Sequence, residues 1–482
     1  MTRSIATLLV LLVALGVLLA ATAIRLAQSQ QSQQHTFPEF IWKQSLPIRS
    51  GDPGITKIGG TEVRALAVFD GKLFAAIGYW MDTERENLAL PGAQVLRLDD
   101  SNSDWQIDFQ LDERMPAGRR RYQAISNLKA VRFNVDDGGA ALDPPVDLLL
   151  AGVWSHGGLE VFSRVTGAPS FPWSRIRIPG HESAPPGSQV RSFSLHRDQV
   201  TGIDVVFAGA SNAIFVGTYH RSQKSIVWNP QPEWQGDMVG RPAAKGRVSS
   251  FAECNGRLYA AVYDAIYERS DGTSPTWKKV FETTIHAREN SSVTGLRGLT
   301  SIANPSGSGQ VLLASVEDDP SRVYRIDPNA VDASGHYRAT LDLDVTAFLT
   351  QALGTEASYV GLAYNDTTEY TDSVGRCSYR FIGLEVITPR AAETFSKDHF
   401  NSDAHYLIRD CGGNYVLQEI QDLQIVPKPV LVSVRALAVS PFASDPIGTV
   451  YAGGFDANNN PVHNTAWLYS GIPVEKDQPK VR

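Results

Sequence analysis

Five cationic side chains recur at one place in a repeated stretch: Arg64, Lys129, Arg191, Arg297 and Arg435. Each stands just ahead of a small residue followed by a bulky apolar one, as in Val63-Arg64-Ala65-Leu66 and Val434-Arg435-Ala436-Leu437. A guanidinium is a planar fork of donors that matches carboxylate, sulfate or phosphate, and charges converging on a concave site focus potential. Gathered at one channel mouth, these residues would hold an anionic small molecule, a glycan or an acidic protein partner. Repeated positions also carry repeated structural bonds, so each cation pairing with an acid in a neighbouring repeat is the competing reading.

Other candidate chemistry is weaker. His399 and His405, with Asp398 and Asp403, form the only His/Asp cluster, and their spacing matches no metal-ligand pattern. Asp100-Ser101-Asn102-Ser103-Asp104 and Asp456-Ala457-Asn458-Asn459-Asn460 alternate oxygen ligands like the first half of a calcium loop. Both lack the remaining ligands and read as Asx-rich hairpin turns. Five cations at the mouth oppose a dication there, so neither a metal nor a cofactor is expected. No serine nucleophile elbow, phosphate loop or paired-carboxylate motif is present. Asn290-Ser291-Ser292 and Asn365-Asp366-Thr367 are glycosylation sequons.

The stretch that carries the cations returns seven times, through Leu128-Lys129-Ala130-Val131, Val190-Arg191-Ser192-Phe193, Val248-Ser249-Ser250-Phe251, Leu296-Arg297-Gly298-Leu299 and Tyr359-Val360-Gly361-Leu362. A second apolar run follows each, exemplified by Phe74-Ala75-Ala76-Ile77, Phe207-Ala208-Gly209-Ala210 and Tyr451-Ala452-Gly453-Gly454. Asp70-Gly71 and Asn255-Gly256 sit between the first and second runs as hairpin turns. A third run and a fourth marked by an aromatic (Trp105, Trp173, Trp228, Trp277, Tyr337, Tyr415) complete the unit. Four antiparallel strands repeated in this way predict an all-β, seven-bladed β-propeller over residues 37–473. The small residue is expected where neighbouring blades crowd near the axis.

The last repeat has three strands, and Phe37 to Leu46, with Trp42 in the aromatic position, is expected to supply its fourth and close the ring. Surplus length falls in loops: Ala168 to Ser188, Trp228 to Lys245, Glu369 to Arg376 and Pro389 to Asp403. Cys377 opens one strand of the sixth repeat and Cys411 closes the next, which predicts a disulfide; Cys254 is expected to stay reduced.

A net charge of −7 argues against a general nucleic-acid binder. Ile5 to Ile24 is an apolar run between Arg3 and Arg25, with Ala21-Thr22-Ala23 as a cleavage candidate. It reads as a signal peptide or a signal anchor within residues 1–25, followed by a polar spacer over 26–36; residues 474–482 form a polar tail. The folded part is therefore expected to be secreted or periplasmic, monomeric, and in contact with membrane only through that anchor.

Ser270-Asp271-Gly272-Thr273-Ser274-Pro275-Thr276-Trp277 resembles the Asp-box of sialidase-like propellers, without the residue that normally separates Ser from Asp. That motif stabilises a turn, so the resemblance implies a propeller and no particular chemistry. The leading expectation is a non-enzymatic propeller that holds an anionic ligand or acidic protein at the basic mouth. The alternative is a glycoside hydrolase or lyase acting on an anionic sugar, and a quinone oxidoreductase using the same cations stands third.

Overall fold

β-Branched and aromatic runs alternate with Asp-Gly, Asn-Gly and other turn-forming pairs, so the chain is driven to strand and tight hairpin throughout. The structure, a computed structural model, describes residues 37–46, 58–79, 91–116, 118–167, 173–181, 188–236, 247–286, 295–357, 359–362, 367–371, 375, 377–388, 403–426, 429, 431–455 and 466–474. The expected leader and spacer, the polar tail beyond Val474, both sequons' asparagines, Asp398, His399 and Asp456 to Asn460 lie outside the described residues.

After β1 (Phe40–Leu46), the chain runs through β2 (Glu62–Phe69), β3 (Lys72–Gly78), β4 (Ala93–Leu98) and β5 (Gln106–Leu111), an antiparallel meander. A second comprises β6 (Tyr122–Val135), β7 (Ala141–Ser155), β8 (Glu160–Val165) and β9 (Ser174–Arg177). Next come β10 (Ser188–Arg197), β11 (Asp204–Ala210), β12 (Ala213–His220) and β13 (Ser225–Trp228), with β14 (Trp234–Gln235) also pairing β12. They are followed by β15 (Val248–Cys254), β16 (Arg257–Val262), β17 (Ala265–Ser270) and β18 (Thr276–Glu282). Then β19 (Gly295–Ala303), β20 (Gln310–Glu317), β21 (Arg322–Val331) and β22 (Tyr337–Asp344) lead into a helix, α1 (Val345–Leu353), capped by Asp344.

In the following unit β23 (Tyr359–Leu362) and β24 (Thr368–Thr371) both pair β25 (Ser378–Ile387), which leads to β26 (His405–Arg409) and β27 (Tyr415–Glu419). Last are β28 (Ser433–Val439), β29 (Val450–Phe455) and β30 (Trp467–Pro473). The outer neighbour of β30 is β1, with Phe40 opposite Pro473 and Trp42 opposite Gly471, so this strand starts at Phe40 rather than Phe37. Such meanders in series are the blades of a β-propeller.

Successive meanders meet along their first two strands, with Phe455 opposite Glu62, Gly78 opposite Ala124 and Glu385 opposite Ser433. Most first strands carry a β-bulge, between Val63 and Ala65, Val190 and Ser192, Val248 and Ser250, and Val434 and Ala436. The residue inside the bulge is therefore Arg64, Arg191, Ser249 or Arg435, and the repeated small residue follows it. The tightest approach lies on the second strand. A Cβ added at Gly209 would meet Val248 of the next meander, and one at Gly453 would meet Val63. Small side chains are thus required on both strands, with the second setting how closely the neighbour comes.

Cys377 and Cys411 form a disulfide with Cα atoms 5.5 Å apart, and Cys254 is a buried free thiol. Among the described residues no helix is long and apolar enough to cross a membrane.

Candidate functional site

Four of the five expected cations, Arg64, Arg191, Arg297 and Arg435, stand near the starts of first strands, and all four are buried, 2–8% exposed. Arg64 pairs with Glu62 at 3.1 Å, Arg297 with Glu317 at 2.5 Å and Arg435 with Glu385 at 2.7 Å. These glutamates are buried too. The Arg64 guanidinium lies 5.8 Å over the Trp154 ring and that of Arg435 5.1 Å over Phe455. Burial raises the Glu385 carboxyl above the ordinary glutamate value, Arg435 and Arg297 oppose that, and Glu317 adds to it. One network therefore joins β19, β20, β25 and β28. It holds carboxylates against arginines at low dielectric, and one carboxyl is pushed toward its neutral form.

Lys129 does not join them. The register of β6 shifts between Tyr122 and Ala124, between Ile125 and Asn127 and between Phe133 and Val135, and Ser126, inside the second shift, takes the place equivalent to Arg64. Lys129 stands opposite Leu150 and is exposed. The equivalent stretch is Ile125-Ser126-Asn127-Leu128, three residues before Leu128-Lys129-Ala130-Val131, and Asn127 stands where other repeats carry a small residue.

A second arginine group, which the repeat pattern did not indicate, lies at the same strand ends and is partly exposed. Between β5 and β6, Met115 N donates to Arg119 O at 2.8 Å and Arg121 N to Glu113 O at 2.9 Å. Arg121 donates to Glu160 Oε1 at 2.9 Å and Arg177 donates to the same oxygen at 3.2 Å, while Tyr122 donates its hydroxyl hydrogen to the other oxygen. Arg175 pairs with Glu113. Glu160 is 1% exposed, whereas the Arg177 side chain is half exposed. Burial first, and then the charge of Arg177, lower the Arg175 pKa. The sequence signal was present in Arg119-Arg120-Arg121 and in Arg175 and Arg177 alternating on one strand.

The fourth-strand aromatics act between meanders. Trp173 donates to Asp108 at 2.8 Å, Trp277 to Glu233 at 2.9 Å and Tyr415 to Asp342 at 2.6 Å, each acid belonging to the preceding meander. A third-strand arginine shares each acid: Arg164 on Asp108 at 3.0 Å, Arg269 on Glu233 at 2.7 Å and Arg409 on Asp342 at 2.7 Å. Trp105 reaches Ser45 of β1 at 3.0 Å in the same way. The Asp-box-like segment belongs to one such clasp. Asp271 accepts from Gln199 N at 2.8 Å and from Arg269 at 2.5 Å, while His196 lies between Asp271 and Glu253. Burial opposes protonation of His196, but Glu253 and Asp271 outweigh it and raise its pKa.

Asp100 accepts from Asn102 N at 2.8 Å and from Ser103 Oγ at 2.6 Å, the bonding of a turn. His405 opens β26. No group of three or more His, Cys, Asp or Glu among the described residues is placed to hold a metal ion.

No protein-family description matches the chain. No curated protein matches it either. Among solved structures, the N-terminal domain of Nup159 is 11% identical, over 92% of this chain and 97% of that one, with a TM-score of 0.41. The α-L-arabinofuranosidase Arb93A from Fusarium graminearum is 10% identical over 91% of this chain and 98% of its own, at 0.38. The NanB sialidase from Streptococcus pneumoniae is 12% identical over 89% and 70%, at 0.40. These likenesses are too loose to carry a function, and the fold rests on the meanders themselves.

Proposed function

We propose that the chain is an exported seven-bladed propeller, closed by β1, that binds an anionic ligand on the face built from the starts of its first strands. The observation that carries this reading is the partly exposed cluster of arginines there. Arg121 and Arg177 crowd the one carboxylate of Glu160, with Arg175 beside them and part of the group in solvent. At the same strand ends Arg64, Arg297 and Arg435 pair with the buried carboxylates of Glu62, Glu317 and Glu385, and Arg191 is buried there as well. In this reading the buried arginines set the potential and hold blades together, and the exposed ones meet the ligand. An anionic small molecule, a glycan or an acidic protein segment would satisfy them. The disulfide and the apolar run near the N-terminus support export.

Calorimetric titration of the full chain with oligogalacturonate and with heparin oligosaccharide tests the reading. Binding should weaken steeply with salt, since exposed charge is screened over ~8 Å at physiological ionic strength. Arg175→Gln with Arg177→Gln should lower affinity about tenfold, equivalent to ~1.4 kcal/mol. Wild-type protein that binds neither anion, or a double variant that binds as well as wild type, overturns it.

One observation favours an enzyme instead. Glu317 and Glu385 act on one another between Arg297 and Arg435, and Glu385 is displaced toward the protonated state that a general acid needs. A hydrolase or lyase for an anionic sugar would use this pair. Release of an aryl group from aryl uronides, abolished by Glu385→Gln while folding is retained, would support that reading; no turnover by wild type would end it.

A further inference from the structure

β9 is the outer strand of its meander, and among the described residues it pairs with β8 alone. Ser174, Arg175 and Arg177 are exposed, and Ile176 is half-buried. Ile176 packs against the cluster that holds Ile178 and Trp228, so Arg175 and Arg177 share the other face of the sheet. Two positions apart on a strand, they stand about 6.8 Å from one another.

The register also fixes where their main-chain groups point. Leu159 and Ile178 continue the pairing of β8 with β9, and Ile178 N donates to Leu159 O at 3.2 Å. Hydrogen-bonded and non-bonded pairs alternate along an antiparallel ladder. Ile176 therefore directs its N–H and C=O at β8, whereas Arg175 and Arg177 direct theirs to the open side. A strand laid antiparallel along that side would bond to these two residues. Its own residues opposite them would carry their side chains onto the arginine face.

Charge selects the occupant. A second copy of β9 would set arginine against arginine, which is destabilising. An extended segment with a carboxylate at every second position would place one acid opposite each arginine, with Cα atoms about 5.5 Å apart. Arg177 meets Glu160 through Nε at 3.2 Å and its side chain is half exposed, leaving donors of its guanidinium for such a carboxylate. Arg175 is held beside it by Glu113. In strand addition the main-chain bonds supply affinity and alternate side chains supply selectivity.

We propose that β9 receives an extended acidic segment of a protein partner as a fifth strand, with alternate carboxylates on Arg175 and Arg177. This rests on the anionic-ligand reading and names the class of ligand.

The test titrates the full chain with a peptide in which glutamate and threonine alternate, and with a peptide of the same composition whose glutamates are consecutive. The alternating peptide should bind about fivefold more tightly, the gain of one exposed ion pair at the upper end of its range. N-methylation of its glutamates removes the N–H groups that face β9 and should abolish that advantage, whereas N-methylation of its threonines should not. In Arg175→Gln with Arg177→Gln the two peptides should bind alike. Equal affinity for the two peptides, or an equal effect of N-methylation at glutamate and threonine, overturns the proposal, as does an advantage that persists in the double variant. Oligogalacturonate bound where neither peptide binds also overturns it and leaves the anionic-ligand reading standing. No binding of peptide, oligogalacturonate or heparin oligosaccharide ends both.

Discussion

Replacing Arg435 with Met removes one charge from the buried network of Arg297, Glu317 and Glu385 and keeps most of the side chain's volume. Arg435 and Glu385 are 7% and 8% exposed and 2.7 Å apart, so the variant leaves a buried carboxyl without its principal counter-charge. Breaking a buried pair from one side costs about 3–5 kcal/mol. At roughly 2 °C per kcal/mol for a large domain, the melting temperature should fall by about 6–10 °C at neutral pH.

The loss should depend on pH with a definite sign. The folded pKa of Glu385 is already raised by burial, and Arg435 is the first of the influences opposing that rise. A raised folded pKa contributes stability that is whole below the unfolded value of about 4.3 and is lost as pH climbs through the folded value. Deleting Arg435 lifts the folded value further, so the variant should approach wild type near pH 4.5 and diverge toward pH 7.5, by about 1.4 kcal/mol per unit of added shift. Thermal melts at both pH values read this directly. Arg435→Met combined with Glu385→Leu should recover most of the loss, since a buried pair replaced by apolar residues is often neutral or better. An unchanged melting temperature, or a deficit equal at both pH values, would refute the reasoning.

Three further outcomes are expected. His196 has a raised pKa between Glu253 and Asp271, so its stabilising contribution is full below about pH 6.5 and declines above it; wild type should lose more melting temperature between pH 6 and 8.5 than His196→Gln, by a modest margin because Glu253 is half exposed. Deleting Phe37 to Leu46 should uncover the edge of β30, lower both stability and cooperativity, and promote self-association visible by light scattering. The Cys254 thiol is pushed up to about 12 by burial, so iodoacetamide at pH 8 should modify it only after unfolding, while non-reducing peptide mapping finds Cys377 joined to Cys411.

The strands were legible because each is a short apolar run bounded by turn residues, and the outer partner of β30 followed from a three-stranded last repeat. The disulfide followed from antiparallel geometry alone. The register of the second repeat was not legible, because Leu128-Lys129-Ala130-Val131 fits the cation-small-apolar pattern while Ile125-Ser126-Asn127-Leu128, which takes that place, does not. The position of the arginines was readable, but their burial was not. Glu317 and Glu385 both directly follow the second-strand run, but Glu62 opens a first strand and other meanders carry Gly78 or Phe455 at the second-strand position, so no motif repeated through the chain announces the pairs. The aromatics Trp173, Trp277 and Tyr415 were visible as markers of the fourth strand, yet their partners lie in the preceding meander and are Asp in two cases and Glu in one.

The β1–β30 ladder also decides the order in which the molecule can be assembled. The Ser470 hydroxyl reaches Lys43 O across 427 positions of chain. Closing a loop of that length costs about 5 kcal/mol of chain entropy beyond the constant term, and only a completed partner strand offsets it. A ribosome or export channel delivers β1 before any strand it can pair with, and must deliver everything through Pro473 before that partner exists. Throughout synthesis the first folded piece is an orphan and the last meander an open edge. A nascent chain halted before β30 would expose both ends of an unfinished ladder, the state most open to proteases and to pairing with a sister chain.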